Sequence, residues 1–175
     1  MSFLELAKKR YSVRKFSDKK VEKEKLDLIL EAGRIAPTAH NNQPQRIIVL
    51  NDEEGLNKLG QNIPHHFNQT LAMIICYDKN ESWKRSFDGK DEGEVDASIV
   101  TTHMMMQAEE LGIGSTWIAH FDPALVINAF NIPEHIVPVA ILVMGYPSDD
   151  AKPSRLHNER FDISHTVFYG SFDNK

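Results

Sequence analysis

Apolar residues along this chain follow two spacings, one typical of buried strands and the other of helices. Four short runs are almost wholly apolar, as in strands covered on both faces; they lie at 46–50, 72–77, 115–119 and 137–144. Elsewhere apolar residues recur every three or four positions, as on one face of a helix; these helices are predicted at 53–59, 95–111 and 123–130. The alternation predicts an α+β or α/β fold, a central sheet with helices on both sides.

Another helix is predicted near the N-terminus, running through Leu26 and Ile29. Ser17 or Asp18 is a candidate N-cap, because short polar side chains accept hydrogen bonds from the first free N–H groups of a helix. Pro37 marks the end of this helix, since proline disfavours the helical conformation in the residue before it.

Two polar segments interrupt this pattern. Residues 79–94 contain only the isolated aromatics Trp83 and Phe87, which predicts a mobile surface excursion. Residues 146–175 form a C-terminal extension that carries several aromatic side chains. These aromatic side chains are expected to pack either on the chain's own domain or on a partner subunit, and we favour the partner subunit.

Composition excludes several classes of protein. A length of 175 residues suits a single domain, 1–175, and a net charge of -5 argues against a nucleic-acid surface. No segment reaches the roughly 20 apolar residues that span a membrane, and we expect a cytoplasmic protein. The one cysteine, Cys76, lies in an apolar run and is expected to be a buried, inert thiol. Adjacent His65 and His66 have no thiol or carboxylate at ligand spacing, so no metal site is predicted.

Two N-terminal segments carry the candidate chemistry. In the first, which we call segment 10–14, Arg10, Ser12 and Arg14 alternate along a stretch expected to be extended. Their side chains then face one ligand, and guanidinium groups favour phosphate. The second, loop 36–44, has the sequence APTAHNNQP and is rich in proline and in amide donors. Together they suit a planar, phosphorylated ligand with many hydrogen-bonding groups.

These segments resemble the opening of the FMN-dependent nitroreductase family. Segment 10–14 is similar to the family's Arg-x-Ser-x-Arg/Lys element, and loop 36–44 to its Ala-Pro-Ser-x-x-Asn-x-Gln-Pro loop. Residues 111–121 resemble its Leu-Gly-x-Gly-Ser/Thr-x-Trp-Ile-Gly block, and residues 152–155 its Lys-Pro-x-Arg element. The resemblance implies a mainly antiparallel sheet, an intertwined homodimer, FMN as cofactor, and hydride transfer from NAD(P)H to nitroaromatics, quinones or similar acceptors.

The resemblance also implies a role for each matching residue. Arg10 and Ser12 would hold the FMN phosphate and ribityl chain, Arg155 would close on the phosphate, and Arg14 would tune the flavin from its pyrimidine edge. Loop 36–44 would reach the flavin of the other subunit, and the backbone N–H of Ala119 would point at flavin N5. The cofactor-binding set is Arg10, Tyr11, Ser12, Arg14, Pro37, Thr38, Ala39, Asn41, Asn62, Trp117, Ile118, Ala119, His120 and Arg155. The substrate-binding candidates are His40, Trp83 and Phe87.

Some alternatives stay open. His120 stands where many members of the family have glycine, and it is either a hydrogen-bond donor near the flavin or a surface residue. No catalytic side chain is implied, because the flavin carries the chemistry. The rival functions are a flavin-binding or redox-sensing protein with little turnover, and a reductive dehalogenase or flavin-destroying enzyme of the same fold.

Overall fold

A central antiparallel sheet organises the computed structural model, which describes residues 1–172. Within those residues its strands are β1 (Gln45–Leu50), β2 (Leu71–Asp78), β3 (Gly114–Ile118) and β4 (Ile136–Gly145). They pair in the order β1-β2-β4-β3, so β1 and β3 lie on opposite edges. All of the predicted strands are confirmed, and the architecture is α+β.

Helices cover both faces of the sheet. In the described residues they are α1 (Phe3–Lys9), α2 (Lys23–Arg34), α3 (Glu53–Asn62), α4 (Gly93–Glu110) and α5 (Pro123–Phe130). One apolar layer joins α2 and α4 to Leu71, Met73 and Ile75 of β2. The intervening residues of β2 face the layer that includes Leu59 of α3 and Val126 of α5. Successive side chains of a strand point to opposite faces, which explains why β2 is apolar throughout.

The predicted caps of α2 are wrong. The helix begins at Lys23 after Glu22, which makes no side-chain capping bond. The Ser17 hydroxyl donates instead to the carbonyl of Tyr146 at 3.3 Å, and Asp18 accepts from Asn68 at 2.8 Å. Ser17 follows the extended stretch that runs on from segment 10–14, and Asp18 lies in a bend after it, so their side chains are used across the fold and not at a helix end.

The predicted extended course of segment 10–14 is confirmed, and hydrogen bonds to the sheet fix it and the residues that follow. Ser12 forms a parallel bridge with Ser115 of β3, and the Val13 N–H donates to the Ser115 carbonyl at 3.0 Å. The Thr116 hydroxyl donates to the Val13 carbonyl. Further along, the Ser17 N–H donates to the Tyr146 carbonyl at 2.8 Å. Segment 10–14 is therefore held beside the β3 edge of the sheet.

The extension after Tyr146 lies largely in solvent within the part that the structure describes. Single 3-10 turns form at Arg155–Asn158 and Ile163–His165. Its large apolar side chains are mostly exposed; these include Phe161, Ile163, Tyr169 and Phe172. Its packing on a partner remains a prediction, and its last residues, 173–175, lie outside the described residues.

Cys76 is buried in β2, and this burial raises the pKa of its thiol to about 12, as expected for an inert group. In residues 1–172, no helix is both long enough and apolar enough to cross a membrane.

A hydrogen-bonded cluster joins the start of α2 to the end of β4, and its pH response is testable. The Tyr146 hydroxyl donates to Glu22 Oε2 at 2.6 Å and accepts from Lys25 Nζ at 2.8 Å. The first of these bonds is the main reason that the pKa of Glu22 falls from 4.5 to about 2, with Lys19 contributing less. We therefore expect Tyr146→Phe to raise the Glu22 pKa, measured by carboxyl NMR titration.

The sign of the effect on stability follows from that pKa. A lowered folded-state pKa contributes stability above the unfolded value of 4.5, and the contribution is lost as the pH falls toward about 2. Wild type should lose more stability than Tyr146→Phe across this window. An unchanged Glu22 pKa in the variant would contradict the assignment to Tyr146.

Candidate functional site

A basic cavity of about 230 Å³ lies between segment 10–14 and the C-terminal extension. Its lining residues are Arg10, Tyr11, Ser12, Arg14, Ser154, Leu156, His157 and Arg160. The pairing of Ser12 with β3 positions the first four, and the 3-10 turn at Arg155–Asn158 positions the others. The rings of Tyr11 and His157 meet edge to face at 6.1 Å, which links the two walls.

No carboxylate of the described residues neutralises the positive charge of this cavity. Arg10, Arg14 and Arg160 form no ion pair there, and no carboxylate is part of the lining. Arg160 donates to the carbonyls of His157 at 2.9 Å and Glu159 at 2.6 Å, and Arg14 makes only a long 3.4 Å contact with the Ser12 carbonyl. Guanidinium groups without a carboxylate partner, as in this set, are suited to bind a phosphate.

Tyr11 adds a neutral donor to the same wall. Burial, with a smaller contribution from Glu109, raises the pKa of Tyr11. Its hydroxyl therefore stays protonated at neutral pH and is available to donate a hydrogen bond.

A second cavity, of about 450 Å³, lies between the end of α3 and the residues after β3. It is lined by Gln61, Asn62, Ile63, Pro64, His120, Phe121, Asp122 and Leu125. Asn62 and His120, which the sequence assigns to one ligand, thus lie on one cavity. Asn62 donates to the Lys58 carbonyl at 2.7 Å, and the His120 ring lies 5.8 Å from that of His65.

The block that leads to His120 changes from buried to exposed along its length. Ile118 is buried at the end of β3 and Trp117 is half-buried, whereas Ala119 and His120 are exposed. The backbone after β3 is thus accessible to a ligand that reaches the second cavity. His65 stacks on Phe67 at 6.0 Å, and the described residues contain no group of three or more His, Cys, Asp or Glu suited to a metal ion.

Loop 36–44 has an unusual backbone conformation. His40, Asn41 and Gln43 have φ of 53°, 56° and 53°, in the left-handed region that residues other than glycine rarely occupy. The Thr38 hydroxyl oxygen accepts from the Gln43 N–H at 3.0 Å, and Ala39 N–H donates to Asp96 of α4 at 2.8 Å. The loop is therefore shaped by specific hydrogen bonds.

The candidate substrate residues meet in part. The rings of His40 and Trp83 stack at 5.2 Å, with 15° between their planes, so loop 36–44 contacts the 79–94 excursion. Phe87 lies at the exposed tip of that excursion, with 95% of its surface in solvent. Its ring therefore faces solvent in the single chain.

The two halves of the candidate site lie far apart in one chain. Loop 36–44 enters β1 at the level of Val137, whereas segment 10–14 joins the opposite edge at the level of Met144. Four strand spacings of about 4.8 Å and seven residues of about 3.3 Å each separate them by roughly 30 Å. One chain therefore does not bring the two segments together.

The structure also identifies residues that the sequence prediction missed. Arg155 has 87% of its side chain exposed and lies 3.8 Å from Glu159, while His157 and Arg160 line the basic cavity. A second arginine five positions after Arg155 was the available signal. Asp96 was also missed; the signal was an acidic residue within the apolar sequence of α4.

Comparisons with known proteins agree on one family. The family model described as the Nitroreductase family matches residues 7–70 and 64–146. A crystal structure of a nitroreductase family protein from Clostridium difficile 630 has 46% sequence identity and a TM-score of 0.92, over 98% of this chain and 99% of that one. An FMN-dependent nitroreductase from Clostridium difficile R20291 has 30% identity and a TM-score of 0.79, over 97% and 99%.

A curated relative extends the comparison to a named activity. It is the FMN reductase (NAD(P)H) of Bacillus subtilis, which is 29% identical over 174 residues, 89% of this chain and 70% of the relative.

Proposed function

This chain belongs to the nitroreductase family, and from that premise we propose that it reduces nitroaromatics, quinones or similar electron-poor acceptors in a ping-pong cycle. At the level of the family it is an NAD(P)H-dependent flavin oxidoreductase with FMN as its cofactor. FMN bound at this site would supply the hydride-transfer chemistry between NAD(P)H and the acceptor. The observation that carries the proposal is the uncompensated basic cavity beside β3.

The donor set of this cavity fits the phosphate end of FMN. A phosphate monoester carries up to two negative charges, and Arg10, Arg14 and Arg160 supply guanidinium donors that are not already neutralised by described residues. Arg10 and Arg160 hold the phosphate in this proposal, and Ser12 donates to the ribityl chain. Arg14 would act on the ring, where its positive charge would favour added electron density.

The second cavity supplies polar groups for the flavin ring. Asn62 offers an amide at the pyrimidine edge, and the exposed backbone at Ala119 lets a flat ring approach closely. His120 places an imidazole on the same wall, where a glycine would leave the cavity wider. Trp117 and Ile118 hold this backbone in place through their position at the end of β3.

A homodimer completes the site in this proposal. Because loop 36–44 lies roughly 30 Å from segment 10–14 in one chain, Pro37, Thr38, Ala39 and Asn41 reach the flavin that a second subunit holds. The face formed by α1, α2 and α4 supports a dimer, since it leaves Phe3 74% exposed and Ile35 65% exposed. A second copy of this face is a natural cover for those side chains.

The first test is turnover. Purified protein should carry visible flavin absorbance and should oxidise NAD(P)H faster when nitrofurazone or menadione is added. In double-reciprocal plots, the initial rate against one substrate at several fixed concentrations of the other should give parallel lines, as a ping-pong cycle requires. Flavin binding without acceptor-dependent oxidation of NAD(P)H would instead favour a storage or sensing role.

The second test compares the arginines at the phosphate. Arg10→Ala and Arg160→Ala should each weaken FMN binding by about 1.5–3 kcal/mol, the range for a hydrogen bond to a charged group. Equilibrium fluorescence quenching of FMN measures this loss. Arg155→Ala is the paired variant: a smaller loss than in Arg160→Ala would assign phosphate binding to Arg160, and a larger loss would return it to Arg155.

The third test asks whether each site uses two chains. We expect Arg10→Ala and the double variant Thr38→Ala/Asn41→Ala each to bind FMN poorly as homodimers. A heterodimer of these two variants, purified through two different tags, contains one intact site and one site with both changes. It should therefore bind about one FMN per dimer with wild-type affinity.

A matched heterodimer serves as the control. Arg10→Ala and Arg160→Ala affect the same basic cavity, so their heterodimer has one change in each site and should recover no wild-type site. Recovery in both heterodimers, or in neither, would contradict a site shared in this way.

A further inference from the structure

Asp96 is a buried carboxyl group in the first turn of α4, with 1% of its surface exposed. Its Oδ1 accepts from the Ala39 N–H at 2.8 Å, whereas its Oδ2 is buried without a hydrogen-bond partner in the described residues. A carboxyl group in such a place costs free energy unless it is well paired. Packing alone therefore gives no reason for an aspartate at this position.

The role of Oδ1 does not depend on the charge of Asp96. Burial, together with nearby Glu92 and Asp91, raises the pKa of Asp96, while the Ala39 N–H opposes that shift. The N-terminal turn of a helix also favours a negative charge. In the ionised form, and in the neutral form with its proton on Oδ2, Oδ1 remains a hydrogen-bond acceptor for Ala39.

Loop 36–44 needs such an acceptor because its backbone is costly to hold. Left-handed φ values at His40, Asn41 and Gln43 each cost conformational free energy, because a side chain at Cβ crowds the backbone there. A loop with three of these residues does not keep its shape unaided. It requires restraints from outside its own sequence.

The end of the loop is held where the Pro44 carbonyl accepts from the Asp78 N–H of β2 at 2.8 Å, but the other restraints on its middle part do not reach the core. The Thr38–Gln43 hydrogen bond lies within the loop and cannot fix the loop against the core. The Asn42 side chain and the His40 ring contact the 79–94 excursion, which is itself a surface feature. Among the described contacts from residues 38–42 to the rest of the chain, the bond to Asp96 is the one whose acceptor side chain belongs to a buried residue of a core helix.

We propose that Asp96 is a positioning residue, which fixes loop 36–44 in the conformation that presents Thr38, Ala39 and Asn41 to the flavin of the second subunit. This inference rests on the proposed function. Asp96 does not touch the flavin in this proposal, since only 1% of its surface is exposed. It acts through the backbone N–H of Ala39.

The test measures FMN affinity and loop protection in three variants of α4. Asp96→Ala removes the acceptor and should weaken FMN binding about ten- to a hundredfold. Asp96→Asn keeps an acceptor oxygen and should stay within about threefold of wild type. Thr101→Val is the matched control; it removes a buried hydroxyl that donates to the Ala97 carbonyl at 2.7 Å, one turn further along α4. This control should lower stability and leave FMN affinity unchanged.

Amide hydrogen exchange of the flavin-free protein gives the second readout. Peptides from loop 36–44 should exchange faster in Asp96→Ala than in wild type, Asp96→Asn or Thr101→Val. A purely structural role would lower the unfolding temperature without this local change. Equal FMN affinity and equal loop exchange in wild type and Asp96→Ala would overturn the proposal.

A second variant removes the donor in case Asp96→Ala does not fold. Ala39→Pro lacks the N–H, and proline is compatible with the first position of the Ala39–Asn41 turn, because Thr38 before it is extended, with ψ of 157°. It should reproduce the loss of FMN affinity and the faster exchange of the loop 36–44 peptides that we expect for Asp96→Ala. Wild-type FMN affinity and wild-type loop exchange in Ala39→Pro would overturn the proposal.

The flavin measurement also separates this inference from the proposed function. Wild-type protein that binds no FMN would defeat the proposed function, and loop exchange would still decide whether Asp96 fixes the loop. Wild-type protein that binds FMN, with Asp96→Ala unchanged in both readouts, would defeat this inference alone.

Discussion

The hydrogen bonds between Val13 and β3 are the constraint on which the site depends. They fix the backbone of segment 10–14 against the sheet, with Val13 buried below, so the neighbouring side chains of Ser12 and Arg14 are directed away from the core. The same pairing sets segment 10–14 beside the block that ends β3. Two sequence elements about a hundred residues apart thereby become neighbours on one edge of the sheet.

The order of the strands in the sheet keeps loop 36–44 and segment 10–14 of one chain apart. Because β1 and β3 lie on opposite edges, loop 36–44 and segment 10–14 are separated by the whole width of the sheet. Each chain thus holds two candidate half-sites that do not face each other. In the homodimer that we propose, a twofold axis would pair each half-site with the complementary half-site of the other chain.

Sequence reasoning succeeded for features that repeat along the chain or rest on several motifs. The apolar runs predicted every strand, and four ordered motifs identified the family, which the family model confirms. It failed for single side chains whose direction depends on a distant partner. Ser17 looks like a helix cap but donates to Tyr146, 129 residues away. The phosphate role of Arg155 stays a prediction: its side chain is exposed in the single chain, and Arg160, which the motif does not include, lines the cavity.

The basic cavity and loop 36–44 each contain an arrangement that is energetically unfavourable in the isolated chain. In the cavity, guanidinium groups without a carboxylate partner repel one another; in the loop, three residues other than glycine adopt positive φ. Local consistency would predict neither, and departures from it tend to mark functional sites. In both cases a neighbouring element holds the arrangement: β3 fixes segment 10–14, and Asp96 on α4 restrains loop 36–44. The core thus preorganises both halves before a ligand arrives, which lowers the ordering cost that binding would otherwise carry.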